Sequence, residues 1–477
     1  MPLPSSYPET IAQLDRLIGF GKCFDIKQRT LNLSGRSATL YYATSMTSNQ
    51  LLERLIAAYL AHPTDPSDTA DSWSARSLPL GSLTLTDDLS QGAKEVRSGS
   101  SLLAVEGFDR LLITDTKMLP SRGINEPQHD QVLRGAREGF VENIIENIAI
   151  LRRRLNSSDL HIEAIPVGDS APTNLFLTFV EGRADGKYVE NIRQKLQSIR
   201  VDALSLGQES LAECLIRRKW FNPFPKFRYT ERPDAAAAML LEGSILIFCD
   251  ASPQAMILPV GIFDFLQETD DFYFPPLIGT YLRFLRVSVF FISLFLTPLW
   301  YLLIRNPQWI PAWLDFITVK ENPGLPILIQ ILLVEFTIDW MKLASLNTPN
   351  MLGNSLSVVA GLILGDFAIQ VGWLVPEVIL YMAFVSMANF TQPSFELGYA
   401  FKFMRILLLM VTALLGAWGF ILGLVGIVLL ICLNKTVDGS RSYLYPLIPF
   451  NREVLFRQVF RVKLKQKRGK SKLPCKR

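Results

Sequence analysis

The fold is decided by residues 406–433, ILLLMVTALLGAWGFILGLVGIVLLICL, a run of 28 residues with no charged side chain. As one straight helix this run would be about 42 Å long, at a rise of about 1.5 Å per residue. That length exceeds the roughly 30 Å hydrocarbon core of a bilayer. The run therefore predicts a helix, or two shorter ones, embedded in a membrane.

Four more apolar segments precede this run, at 287–304, 324–344, 355–374 and 375–389. The amino terminus has Pro, Glu and Asp where a signal peptide needs a basic start and an apolar core, so we expect the preceding 280 or so residues to stay in the cytoplasm. Arg283 and Arg286 would then hold the inner end of the first span. With both termini cytoplasmic, the crossings number four if 324–344 does not span, or six if the last run breaks near residues 416–423.

The charge distribution points to a lipid surface. The net charge is only +4, but the tail after Phe450 carries eleven Lys or Arg against one acid, Glu453. Beside a membrane segment, such a tail is typical of a cytoplasmic anchor on anionic lipid, and we expect no nucleic-acid partner. The five cysteines are scattered without framework spacing, which favours reduced thiols.

The soluble part contains one pattern twice, at an offset of about 140 residues. Strand 38–42 and helix 49–60 correspond to strand 174–179 and helix 187–199. In both copies a later helix ends at a glycine, Gly99 or Gly243, and a buried strand follows that glycine. The predicted fold is an α+β or α/β cytoplasmic region of two similar subdomains (1–120 and 121–280), then an α-helical polytopic membrane domain (281–435) and a basic tail (436–477).

Enzyme signatures are absent from the sequence: it has no nucleophile elbow, P-loop, zinc-protease motif or dinucleotide fingerprint. We therefore expect neither catalysis nor a cofactor or metal.

The third apolar segment carries a stripe of small residues on one helical face. These are Gly361, Gly365, Ala368 and Gly372. Such a stripe lets a neighbouring helix approach closely. Asp366 and Gln370 lie one turn apart in the same segment, and a carboxylate facing lipid there would cost several kcal/mol. Either they line a cation path or they form a buried structural pair.

The second segment places Glu335, Asp339 and Lys342 on one face, leaving a net negative stripe. On the membrane surface this stripe would be a solvated side; inside the bilayer it would need a watery lumen, which several copies of the chain would have to enclose. In the last run Gly419 and Gly423, flanked by Gly416 and Gly426, indicate either close packing or a break.

Polar residues of the soluble part are concentrated in two motifs, one within residues 126–154 and one at residues 231–234. These motifs resemble those of the spore germinant receptor A-subunit (GerA) family. Further stretches at 20–25, 376–381 and 393–397 favour its stage V sporulation AF branch. Near residues 342–349 the chain departs from the usual receptor pattern. The residues that carry the resemblance are Glu126, Pro127, Arg134, Gly135, Arg137, Glu138, Gly139, Phe140, Glu142, Asn147, Arg152, Arg153, Arg154, Glu231, Arg232, Pro233 and Asp234.

This resemblance implies a membrane protein of the spore inner membrane that acts in germination. It implies homo-oligomers around a pore for monovalent cations, with other spore germination membrane proteins and membrane lipid as partners. A scaffold that conducts nothing and gathers such proteins is the alternative.

Overall fold

The computed structural model describes residues 3–4, 6–62, 64–65, 67–77, 82–118, 136–216, 222–268, 270–320, 324–347, 361, 367–437 and 442–460. The described residues fall into two compact units. Unit 1 lies within Met1–Arg217 and Phe227–Pro259, and unit 2 within Arg218–Lys226 and Val260–Lys465.

The first half of unit 1 is an antiparallel sheet with helices. Its helices are α1 (Tyr7–Ile18), α2 (Asn49–Ala61), α3 (Ala70–Ser77) and α4 (Leu89–Arg97). Its strands are β1 (Ile26–Leu33), β2 (Arg36–Ala43), β3 (Leu83–Thr86), β4 (Ser101–Val105) and β5 (Leu111–Thr114). The strand order is β1-β2-β4-β5-β3.

The second half repeats this arrangement. Its helices are α5 (Ile144–Arg154), α6 (Gly186–Ser198), α7 (Gln208–Leu215) and α8 (Pro233–Leu241). Its strands are β6 (Leu160–Val167), β7 (Thr173–Val180), β8 (Arg228–Thr230), β9 (Ile245–Cys249) and β10 (Ala255–Leu258). The order β6-β7-β9-β10-β8 matches the first sheet position by position, which confirms the predicted pair of similar subdomains.

Local sequence explains why the two halves fold alike. The fully buried strands β4 and β9 both follow a helix that stops at a glycine with positive φ, +100° at Gly99 and +96° at Gly243. A Cβ at Gly99 would lie 2.8 Å from the carbonyl oxygen of Met46, and one at Gly243 would lie 2.6 Å from that of Arg183. Only glycine combines this backbone conformation with so close an approach.

The segment just before β1 meets the second sheet within unit 1. Cys23 forms a β-bridge with Ile162, and the side chains of Lys22 and His161 both bond to Glu181. These hydrogen bonds lower the pKa of Glu181 to about 2; the one from Lys22 has the larger effect and the one from His161 the next largest.

Unit 2 is helical, and its described helices begin with a short one. They are α9 (Asp270–Tyr273), α10 (Pro276–Arg305), α11 (Ile327–Asn347), α12 (Ala368–Gln370), α13 (Pro376–Phe390), α14 (Phe395–Cys432) and α15 (Arg452–Val459). Among the described residues, α10 and α14 are long and apolar enough to cross a membrane, and α13 is a shorter apolar helix.

The long helix α14 is broken at Gly416, where φ is +62° and ψ is −136°. Contacts between the two halves show that the chain reverses there. A Cβ at Gly423 would lie 2.6 Å from Leu408, and one at Gly419 would overlap the carbonyl of Val411. In a straight helix, Leu408 and Gly423 would be about 22 Å apart. Residues 406–433 therefore combine both predicted features: a break, and close packing of the two halves through small residues.

Candidate functional site

Four charged side chains meet between two of the apolar helices, and we call them the helix charge cluster. Glu335 and Asp339 lie one turn apart on α11, and Lys402 and Arg405 lie one turn apart on α14. Arg405 Nη2 is 2.6 Å from Glu335 Oε1, and Lys402 Nζ is 3.1 Å from the same oxygen. Lys402 also pairs with Asp339. Both acids are thus neutralised by cations of the same chain.

Two further helices contribute polar groups to this cluster. Arg405 Nη1 donates to the carbonyl oxygen of Ser293 on α10 at 2.7 Å, and the Ser293 hydroxyl bonds to Asn389 of α13 at 2.7 Å. Arg405 is only 1% exposed. A charge this deeply buried is stable only when paired and hydrogen-bonded, since taking it out of water costs several kcal/mol. The cluster therefore fixes α10, α11, α13 and α14 relative to one another.

The cluster lies well inside the helices rather than at their ends. Ser293 precedes Arg305, at the end of α10, by a helical distance of about 18 Å. Arg405 precedes Ala413, whose carbonyl accepts a hydrogen bond from Arg305, by about 12 Å. Large apolar side chains are exposed on the outer faces at this level, among them Phe291, Phe336 and Phe403. Such a belt suits contact with lipid tails.

Lys342, the third predicted residue of the stripe on α11, faces aromatic rings. Its Nζ lies 4.6 Å from the ring centre of Phe390 and 5.6 Å from that of Tyr399, both within reach of a cation–π contact. The expectation of a negative stripe that needs either solvent or a watery lumen is thereby corrected. Opposite charges on α14, together with these rings, already satisfy Glu335, Asp339 and Lys342 within one chain.

The third apolar segment is seen only in part. Gly365 and Asp366 lie outside the described residues. Gly361 and Gln370 are exposed, and Ala368 packs against the apolar core of the helices. The small-residue stripe does not continue to Gly372 as predicted, because α12 ends at Gln370 and Gly372 has φ +77° in the following turn.

Aromatic side chains surround one end of the helices, which we call the aromatic end. In the last turns of α10, Trp300 Nε1 donates to the carbonyl of Ile317, which holds the 3₁₀ helices Pro307–Trp309 and Ala312–Ile317 against the core. The exposed rings at this end are those of Trp309, Trp313, Phe316, Trp373 and Trp418. Tryptophan is enriched where membrane meets water.

In unit 1, Arg152 of the resemblance motif forms the most deeply buried ion pair. Its Nε and Nη2 lie 2.9 and 2.6 Å from the two oxygens of Asp25, which also accepts the Ser45 hydroxyl at 2.6 Å. Arg152 is 1% exposed and Asp25 is fully buried. Burial opposes the charge, but Asp25 outweighs it, so the pKa of Arg152 lies above its ordinary value. This pair joins the two subdomains.

Other motif residues hold the segment before α5. The amide of Asn147 bonds to both backbone groups of Val141, at 2.7 and 2.5 Å. Glu138 bonds to Arg154 at 2.9 Å and also to Arg153. Partial burial raises the pKa of Glu138, but these two arginines outweigh it and the pKa is lowered.

The second motif closes against this segment. The carbonyl of Glu231 accepts the backbone N–H of Phe140 at 2.7 Å, and Arg232 pairs with Asp234 at 2.6 Å. Pro233 is the first residue of α8, where its missing N–H costs nothing.

The remaining motif residues have less defined places. Gly139 is buried in the irregular stretch before α5, whereas Arg137 and Glu142 are exposed. Glu126, Pro127, Arg134 and Gly135 lie outside the described residues.

Sequence reasoning missed the partners of these predicted residues. The sequence patterns assigned no role to Lys402 or Arg405, and they included Asp25 only as the last residue of the stretch 20–25. The sequence did carry a signal for Lys402 and Arg405. They lie one turn apart on one apolar helix, as the two acids of α11 do on another, so the opposite charges can pair.

Comparison with known proteins gives consistent matches. The family model described as Bacillus/Clostridium GerA spore germination protein matches residues 16–473. The chain is 33% identical to stage V sporulation protein AF of Bacillus subtilis, over 93% of this chain and 90% of that protein. It is 30% identical to spore germination protein KA of Bacillus subtilis, over 81% of this chain and 71% of that protein. The crystal structure of the N-terminal domain of the A subunit of the Bacillus megaterium spore germinant receptor GerK3 matches with a TM-score of 0.38 and 24% identity, covering 54% of this chain and 96% of that one.

Proposed function

We propose a function that proceeds from one premise: this chain belongs to the GerA family of spore germination proteins. In our proposal it is a multi-pass protein of the spore inner membrane, and its copies assemble around a path for monovalent cations that opens in germination. The soluble unit and the basic tail face the cytoplasm.

The helix charge cluster carries this proposal. Five ionisable side chains, counting Lys342 with the four of the cluster, lie between helices whose outer faces are apolar. A single-chain anchor needs no such group. Charges at bilayer depth are costly even when they are paired, and where they occur they mark ion paths or proton relays. The cluster thus marks the region in which polar groups enter the membrane.

The direction of each helix supports six crossings rather than four. Gln330, near the start of α11, bonds to the backbone N–H of Val375, just before α13, so both helices begin near the aromatic end. α10 and the first half of α14 finish there, and the second half of α14 returns from it. One more crossing, through the third apolar segment, makes the number even.

Assembly of copies is supported by an apolar face on α11 that no described residue covers. Ile329, Phe336, Trp340 and Leu343 share this face and are all exposed in the single chain. A neighbouring chain that packed on this face would bury these four side chains.

Potassium flux from liposomes tests the conduction step. We expect the purified protein to release trapped potassium, and Asp366→Asn to slow that release while the reconstituted amount stays constant. Asp315→Asn is the matched control, because it makes the same change at an exposed position of the 3₁₀ helix Ala312–Ile317 in unit 2. A bilayer that stays tight around the wild-type protein contradicts conduction.

One observation favours a second function, that of a scaffold which conducts nothing. Glu335 and Asp339 are paired with cations of their own chain, which leaves neither free to bind a permeating ion. The scaffold predicts a tight bilayer together with co-purification of other germination proteins, and loss of those proteins when this chain is deleted.

A further inference from the structure

Helix α15 presents an apolar face that nothing in the described chain covers. Asn451 caps the helix, its side chain accepting the N–H of Val454 at 3.3 Å. Phe456, Val459 and Phe460 follow at spacings of three and four residues, so they share one face, and they are 55%, 42% and 46% exposed. The two phenylalanine rings lie 4.8 Å apart. The preceding loop adds Leu447, Ile448 and Phe450, all of them exposed.

This face is held at a defined level on α10. Arg283 Nη1 donates to the carbonyl oxygen of Gln458 at 3.1 Å. The same arginine and Arg286 are buried against Asp271, at 3.1 and 2.7 Å. From Arg283 to Arg305, at the aromatic end, α10 runs about 33 Å. That distance is close to the thickness of a hydrocarbon core, so α15 lies where the opposite membrane surface would be.

The charge that follows α15 selects the occupant. After Phe460 the sequence has nine Lys or Arg and no Asp or Glu: Arg461, Lys463, Lys465, Lys467, Arg468, Lys470, Lys472, Lys476 and Arg477. A second copy of this chain would bring the same positive charge to the face, whereas an anionic leaflet supplies both apolar tails and negative headgroups.

We propose that residues 447–460 form an interfacial element whose aromatic face enters an anionic lipid leaflet, with the basic tail on its headgroups. The proposal rests on the membrane insertion proposed above, but not on conduction. A change in the charge of the lipid leaflet is then transmitted to α10 through the hydrogen bond between Arg283 and Gln458.

Hydrogen exchange of the full chain in lipid nanodiscs tests this. Amides of 452–460 should exchange at least about tenfold more slowly with phosphatidylglycerol present than in phosphatidylcholine alone, and high salt should remove most of the difference. Replacing Lys463, Lys465, Lys467 and Arg468 with glutamine should abolish the lipid dependence. The same change at four exposed basic residues of unit 1 (Lys27, Arg29, Arg54 and Lys187) should leave it intact.

The outcomes separate the alternatives. Equal exchange in both lipids, with the amides of α10 still protected, overturns the interfacial element and leaves membrane insertion standing. Fast exchange of α10 itself in both discs overturns insertion, and this proposal with it. Protection that follows the number of chains per disc, rather than the lipid, assigns the face to a second copy and also overturns the proposal.

Discussion

Replacing Arg152 with methionine should sharply destabilise unit 1, because Asp25 would remain as a buried carboxylate without its cation. Asp25 is fully buried and would keep only the Ser45 hydroxyl as a side-chain hydrogen-bond donor among the contacts described above. Removing one partner of a buried pair costs about 3–5 kcal/mol. In a unit of this size each kcal/mol lowers the melting temperature by roughly 2–4 °C. We therefore expect a loss on the order of 10 °C.

A matched control exists in the same unit. Arg193 holds Glu163 through the same two-pronged geometry, at 2.8 and 2.7 Å, but these side chains are 27% and 28% exposed. Water can solvate Glu163 once the arginine is gone, so Arg193→Met should cost about 1 kcal/mol or less. The two variants differ in burial and not in the chemistry of the pair.

The assay is thermal unfolding of the purified full chain, followed through the transition of unit 1. The double variant Asp25→Asn with Arg152→Met should recover part of the loss, since no unpaired charge then remains. A shift for Arg152→Met no larger than that for Arg193→Met would refute the reasoning. So would a double variant that loses the full sum of the two single effects.

Three further predictions follow from local geometry. Gly419→Val should lower the amount of folded protein in membranes severalfold, because a side chain there overlaps the facing half-helix; Gly426→Val, which meets open space, should not. Iodoacetamide should label the exposed Cys214 well before Cys249, whose pKa burial raises to about 11, as peptide mass mapping would show; equal labelling contradicts this burial. Glu181→Gln should lower the melting temperature near neutral pH, because the interactions that lower the pKa of Glu181 stabilise the fold only while this carboxylate is ionised. The difference in melting temperature between wild type and variant should therefore shrink as the pH falls from about 4.5 towards 2. A difference that persists unchanged at the acidic end would contradict it.

The sheets could be predicted from the sequence because their signals are local. The strand patterns and the helix-ending glycines Gly99 and Gly243 can each be recognised within a few residues. The same pattern occurs in both copies, so each copy supports the assignment of the other. The strand order within each sheet depends on contacts between distant segments, so it was not predictable from these signals.

The charge cluster shows where such reasoning stops. The sequence indicated that Glu335 and Asp339 need a compensating environment if they lie inside a bilayer. It could not tell whether water, another copy or the same chain would compensate them, since Lys402 and Arg405 are more than sixty residues away. Only the reversal of the chain between α13 and α14 brings the opposite charges together.

The turn at Gly416 has a consequence for how the chain is inserted during synthesis. Residues 406–433 leave the ribosome as one continuous apolar stretch that is long enough to cross a bilayer once. Since the backbone at Gly416 adopts a conformation open almost only to glycine, the stretch doubles back and its two ends finish on the same side. In the membrane arrangement proposed above, a straightened stretch would carry the strongly basic terminus across the bilayer, against the rule that positive segments stay inside. In that arrangement, the glycine at 416 keeps the basic tail on the cytoplasmic side.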